Sequence, residues 1–105
     1  MKAAQFEAKG KPAEVLAIKD IDMPTPAAGE VRIKVTTCNI NPSDIMFVQG
    51  LYGITPDLPA VGGFEAAGVI DAIGEGTSFK VGQRVIFTAI GVWQEYVIAH
   101  AKGII

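Results

Sequence analysis

The sequence predicts a mainly β domain, a small barrel or sandwich of short strands with one short helix. Three observations predict it. Gly, Pro and Asn turn signals recur about every eight to twelve residues, the spacing of all-β sandwiches and barrels. Val31, Ile33 and Val35 alternate with Arg32, Lys34 and Thr36, the period-two pattern of a strand with one buried and one wet face. Only the segment from Asn41 to Gly50 carries both a helix start and a helix stop: Asn41 can cap, Pro42 fits the first helical position, Asp44 favours the positive end of the helix dipole and Gly50 ends the run.

The elements follow in order along the chain. Ala3 to Glu7 is a first strand, and Lys9-Gly10-Lys11-Pro12 a turn. Val15 to Ile21 is a second apolar stretch, closed by Met23-Pro24-Thr25-Pro26, where prolines block further ladder pairing. The strand opened by Gly29-Glu30 loses its alternation at Thr37-Cys38-Asn39-Ile40, where something irregular begins. The helix spans Pro42 to Val48. Leu51 to Gly63 is a loop rich in Gly and Pro. Ala66 to Ile73, Arg84 to Thr88 and Trp93 to Ala99 are the remaining strands, separated by turns at Gly74-Glu75-Gly76-Thr77, Val81-Gly82-Gln83 and Ala89 to Gly91. Gly74-Glu75-Gly76 partly matches a dinucleotide loop, but Phe79 stands where a third glycine is needed, and no amphipathic helix follows. A tight turn is the better reading.

Composition narrows the function classes. A chain of 105 residues is one domain by length, able to bury roughly two-thirds of its unfolded surface. With 50% apolar and 19% charged residues it is globular rather than disordered. The net charge is −2 and no basic stripe is present, which argues against a nucleic-acid partner. One cysteine, Cys38, and one histidine, His100, exclude an internal disulfide and a Cys/His zinc site, which takes three or four protein ligands. No run approaches the ~20 apolar residues of a membrane span, and the charged residues near Met1 leave no signal-peptide core. The expectation is a soluble, cytoplasmic protein that avoids nucleic acid and membrane.

Few residues stand out as chemistry. Cys38 reads as an inert thiol at a strand end and His100 as a surface residue at the end of the last strand. Glu65, after Gly62-Gly63-Phe64, is either an exposed strand end or a buried, hydrogen-bonded carboxylate. Tyr52 either packs its loop or offers a hydroxyl that donates a proton or a hydrogen bond to a developing enolate.

Four ordered blocks resemble a known family: Gly29-Glu30-Val31-Arg32-Ile33-Lys34-Val35, then Asn41-Pro42-Ser43-Asp44, then the run Leu58 to Ile70, then Val81-Gly82-Gln83-Arg84-Val85. Their order and spacing resemble the N-terminal, GroES-like domain of the medium-chain dehydrogenase/reductases, over essentially the whole chain. The resemblance implies a partly open GroES-like β barrel with one or two short helices. Zinc members of that superfamily place Cys where Asn41 stands and His where Phe64 stands, so this chain looks like the zinc-free branches, the quinone oxidoreductases and the mitochondrial-type 2-enoyl thioester reductases. In the enoyl reductase branch the counterpart of Tyr52 is taken as the proton donor or substrate-orienting group, and in the quinone reductases the counterparts of Asn41 and Tyr52 line the pocket beside the nicotinamide.

The implied reaction is hydride addition from NADPH to the β-carbon of a conjugated carbonyl, a quinone or a 2-enoyl thioester. Without a metal, the charge growing on the carbonyl oxygen must meet hydrogen-bond donors. The resemblance assigns Tyr52 and Asn41 to catalysis, Asn41 and Asp44 to the cofactor, and Glu65 to structural support, with no metal. It also implies that residues 1–105 are an incomplete, substrate-side domain, expected to be inactive alone and to hold no NADPH by itself, the Rossmann half being absent. Its partners would be the carbonyl substrate, a missing or separate Rossmann domain, and further copies through exposed apolar surface, for which Phe87 and Trp93 are candidates. The alternatives are a stand-alone, non-catalytic β-barrel interaction module and a truncated gene product.

Overall fold

The computed structural model describes residues 1–105. In chain order its elements are β1 (Lys2–Phe6), the one-turn helix α1 (Pro12–Val15), β2 (Leu16–Asp20), β3 (Glu30–Cys38), α2 (Pro42–Gln49), β4 (Ala60–Val61), β5 (Glu65–Ile73), β6 (Arg84–Thr88) and β7 (Tyr96–His100), closed by a 3₁₀ turn at Ala101–Gly103. All strand pairs are antiparallel. They form a three-stranded sheet, β2-β1-β4, and a four-stranded sheet, β6-β5-β3-β7. Neither sheet closes on itself, which makes the molecule a partly open barrel of mainly β character.

The segment before β7 joins the two sheets. Ala4 donates its N–H to the Trp93 carbonyl at 2.8 Å, Glu95 donates to the Lys2 carbonyl at 3.1 Å, and Trp93 donates to the Gly62 carbonyl at 2.9 Å. The sequence places a strand from Trp93, but the regular strand starts only at Tyr96. Up to that point the backbone is spent on bridging β1 and the Gly62-Gly63 corner instead of a ladder. The Lys9–Pro12 turn likewise runs into α1, because Pro12 pre-sets the first helical position. No helix is long and apolar enough to cross a membrane.

The main core lies on the inner face of the larger sheet. Val31 and Ile33 of β3, Ile70 of β5, Phe87 of β6 and Val97 of β7 are all buried there. Burying each such side chain is worth about 1.5–3 kcal/mol. Gly68 of β5 is required by this packing: a Cβ there would lie 2.3 Å from the Lys34 carbonyl oxygen. A second, smaller core of Phe6, Phe47 and Val48 binds α2 to the small sheet, and Trp93 packs against both cores.

Phe87 is therefore a core residue at 2% exposure and no part of a surface patch. The β6 alternation turns Val85 and Phe87 inward and leaves Ile86 outside, 54% exposed. The exposed apolar surface on this side belongs to Ile86 and Ile105, whose N–H donates to the Ile86 carbonyl at 2.9 Å.

Candidate functional site

The irregularity after Val35 is a change of strand register. Val35 pairs with Gly68 but Thr37 pairs with Ala67, so Thr36 is an extra residue in β3. A bulge of this kind bends the strand and re-aims the side chains beyond it. Beyond it Cys38 pairs with Ala66, and Asn39 and Asn41 come to face the first residue of β5, Glu65.

Glu65 collects both amides on one oxygen. Asn39 Nδ2 donates to Glu65 Oε2 at 3.1 Å and Asn41 Nδ2 donates to the same atom at 3.5 Å. Asn41 is also the N-cap of α2, where its backbone N–H donates to Asp44 Oδ2 at 2.7 Å. Asp44 is fully buried, and its Oδ1 has no hydrogen-bond partner. Three of the four sequence-derived residues, Asn41, Asp44 and Glu65, are thus in direct contact in a chain.

Tyr52 reaches the same neighbourhood through packing. Its ring lies over Phe64 at 5.6 Å between centroids, Phe64 packs on Phe47 at 5.1 Å, and Phe47 on Phe6 at 5.9 Å. Four rings run from the small core to the surface and end at Tyr52, which is 39% exposed. Phe64 is the residue before Glu65, so ring stack and amide cluster meet at adjacent positions of the chain. No hydrogen bond links Tyr52 to Asn41.

A cleft of about 400 Å³ opens beside Glu65, with Asn39, Cys38, Ala67, Ile86 and Ile105 among its walls. A smaller one of about 280 Å³ is lined by Phe47, the loop Ile54–Asp57 and Ile90. Asn41 and Tyr52 line neither. Cys38 is exposed at the larger cleft. Partial burial pushes its thiol up, and the Asp44 carboxylate adds to the shift, which disfavours the reactive thiolate. His100 sits opposite Glu30, at the far end of β3, about 26 Å from Cys38 along the strand at ~3.3 Å per residue, so the two form no dyad. No three His, Cys, Asp or Glu side chains converge to hold a metal.

Sequence reasoning missed Asn39 and the inward role of Trp93. The loss of alternation at Thr37 marked the bulge, but nothing in the sequence says that Asn39 reaches across to β5. The pair Gly62-Gly63 was the available signal for Trp93. A Cβ at Gly62 would stand 2.4 Å from Trp93 Cε3, and one at Gly63 would stand 2.5 Å from Trp93 Cδ1.

The alcohol dehydrogenase GroES-like domain profile matches residues 27–105, and the chain belongs to that family, within the medium-chain dehydrogenase/reductase superfamily. It is 43% identical over 91 residues to the mitochondrial enoyl-[acyl-carrier-protein] reductase of Xenopus tropicalis, covering 84% of this chain and 26% of that enzyme. It superposes on the crystal structure of the human synaptic vesicle membrane protein VAT-1 homolog-like protein with a TM-score of 0.94 at 30% identity, over 100% of this chain and 34% of that one. The Escherichia coli quinone oxidoreductase crystallised with NADPH gives 0.92 at 30% identity, over 100% of this chain and 32% of that one. The chain therefore spans about a third or less of the length of these relatives.

Proposed function

We propose that this chain is the substrate-side domain of an NADPH-dependent, zinc-free oxidoreductase that reduces conjugated carbonyls, either quinones or 2-enoyl thioesters. One observation carries the reading. At the two positions where zinc relatives have Cys and His, this chain holds a carboxamide bonded to Glu65 and a ring packed between Phe47 and Tyr52. A phenyl ring offers a metal no donor atom. Hydrogen-bond donors and aromatic packing stand in the metal's place.

The chain's own residues then divide the work. The exposed Tyr52 hydroxyl makes no protein hydrogen bond and is free to donate to a carbonyl oxygen as charge grows there. The Asn41 carboxamide carries two N–H groups; one is given to Glu65 and the second remains for the same oxygen. Donors aimed at the developing charge are among the largest catalytic terms. Asn41 and Asp44 stand on the cofactor side in this reading, Asp44 from beneath, through its bond to the Asn41 N–H. The nicotinamide, when bound, supplies the hydride.

The cofactor's diphosphate does not fit the residues present. The glycine turn after β5 spends its groups within the fold: Gly74 donates to the Glu30 carbonyl and the Glu75 carbonyl accepts from Gly29, both at 2.8 Å. It leads into antiparallel β6, with no helix N-terminus to receive phosphate. The reading therefore requires a second unit, on this or another chain, to hold the diphosphate. The apolar cleft wall of Ile86 and Ile105 is the surface such a unit, or a second copy, would cover.

The test joins these 105 residues to the remaining two-thirds of the Escherichia coli quinone oxidoreductase and follows NADPH oxidation. Turnover with a quinone or a 2-enoyl thioester is expected. A folded, NADPH-binding chimera that consumes neither substrate refutes the proposal. Light scattering on the 105-residue chain alone should show association rising with concentration, and a strict monomer at high concentration removes the claim that its apolar wall needs covering.

A further inference from the structure

Asn39 and Trp93 lie outside the set of residues that the proposed chemistry uses, yet they connect to it without a gap. The indole Nε1–H of Trp93 donates to the Asn39 carbonyl at 3.3 Å. The Asn39 carboxamide donates to Glu65 Oε2 at 3.1 Å, and Asn41 donates to that same oxygen at 3.5 Å. We propose that Trp93 and Asn39 are positioning residues, a relay from the joint between the two cores to the Asn41 carboxamide. The inference rests on the reading of Asn41 as a donor to the substrate oxygen.

The anchor of the relay is rigid. Trp93 packs against both cores, and its backbone is bonded on both sides, to Gly62 at 2.9 Å and from Ala4 at 2.8 Å. Its ring lies against Gly62 and Gly63, where any side chain larger than hydrogen would overlap it. Gly63 also has φ +92°, a conformation that L side chains rarely adopt. The tandem glycine thus builds a flat seat for the indole, and the seat fixes the height and direction of the N–H.

The rest of the relay would be loose without that anchor. Asn39 follows the last residue of β3 and has no ladder partner; it and Glu65 are both exposed. A free carboxamide rotates, and its two ends are nearly isosteric. Holding the Asn39 main chain from Trp93 aims its side chain at Glu65. A carboxylate oxygen that already accepts one amide then accepts only the nitrogen end of Asn41. The reversed amide would set Asn41 Oδ1 against an anion. The anion itself selects the nitrogen end; the relay fixes where Glu65 Oε2 stands, and with it the direction of the Asn41 amide and of its second N–H. Glu65 Oε1 receives no protein donor, and Glu65 lines the larger cleft.

The test is nuclear magnetic resonance on the 105-residue chain, with turnover in the chimera as the second readout. Trp93 is the only tryptophan, so a single indole N–H signal reports the anchor. Trp93→Phe keeps a ring on the glycines and removes the donor; Asn39→Ala removes the middle of the relay. Each should shift or broaden the Asn41 side-chain amide signals while the dispersed backbone spectrum persists. In the chimera each should lower kcat on the order of tenfold to a hundredfold, with KM within about twofold, and Asn39→Gln should restore part of the loss. Unchanged Asn41 amide signals in both variants overturn the relay, as does a kcat loss that merely follows loss of folded protein. If Asn41 responds but the unmutated chimera never turns over, the functional reading has failed and takes the catalytic half of this inference with it, while the positioning half stands.

Discussion

The two ends of the β3–β5 pair each carry a carboxylate, and the protein treats them in opposite ways. At one end Asp71 meets Arg32 in a forked pair, Nε to Oδ1 at 2.9 Å and Nη2 to Oδ2 at 3.1 Å. The third guanidinium nitrogen reaches the Pro24 carbonyl at 3.0 Å, and Tyr96 lies 5.7 Å beneath the cation. The bond to Asp71 pushes the guanidinium further above its ordinary range. Both charges are cancelled, and the proline-rich segment before β3 is fastened to the sheet. At the other end Glu65 has only neutral amides as partners and lies exposed beside a cleft. The same strand pairing thus supports a closed ion pair at one end and a held, uncancelled charge at the other.

The largest expected effect lies at the open end. Tyr52→Phe in the chimera keeps the ring on Phe64 and should reduce kcat by about 10²–10³ without lowering Tm; an unchanged rate would leave Tyr52 as packing alone. Next come two glycines with similar backbone angles, φ +92° at Gly63 and +82° at Gly76. Gly63→Ala adds a clash with Trp93 to the backbone strain, and urea unfolding should register about 3 kcal/mol lost. Gly76→Ala has open space around it and should lose about 1–2 kcal/mol of backbone strain alone. Equal losses would show that Trp93 is not seated as described.

The smallest effect is a titration. Cys38 has its thiol raised in the folded chain by burial first and by Asp44 second. The folded state thus holds this proton more tightly than the unfolded state does. Its contribution to stability is complete below the unfolded thiol's pKa and is lost as pH rises through the folded one. Alkylation by iodoacetamide should accordingly be slow at neutral pH, with a midpoint above that of an unfolded control. A midpoint below the control would contradict the geometry around Cys38.

Periodic features were legible in the sequence, and contacts across the sheet were not. Alternation placed β3 and β6, and Asn41, Pro42 and Gly50 bounded α2, because local sterics and capping decide those elements. The break at Thr37 was visible as a loss of pattern, yet the bulge at Thr36 shows only against Gly68 and Ala67 on β5. The family resemblance singles out Asn41, Asp44 and Glu65, which the structure brings into contact, but not Asn39, whose hydrogen bond to Glu65 spans 26 residues of sequence. Phe87 read as a surface candidate because one strand alone does not reveal which of its faces is inward. Ile86 and Phe87 exchange roles on a single step of register.

The contrast between the two carboxylates is tested most directly by neutralising each in turn in the chimera, Glu65→Gln and Asp71→Asn, and measuring kcat and Tm for both. Asp71→Asn should weaken a partly exposed ion pair, lowering stability by about 1 kcal/mol and leaving kcat in place. Glu65→Gln should leave Tm nearly unchanged and lower kcat on the order of tenfold, since the Asn41 amide loses the anion that orients it. A Glu65→Gln enzyme that melts early but turns over at the full rate, or an Asp71→Asn enzyme that keeps its Tm and loses turnover, would contradict the assignment of the open end to function.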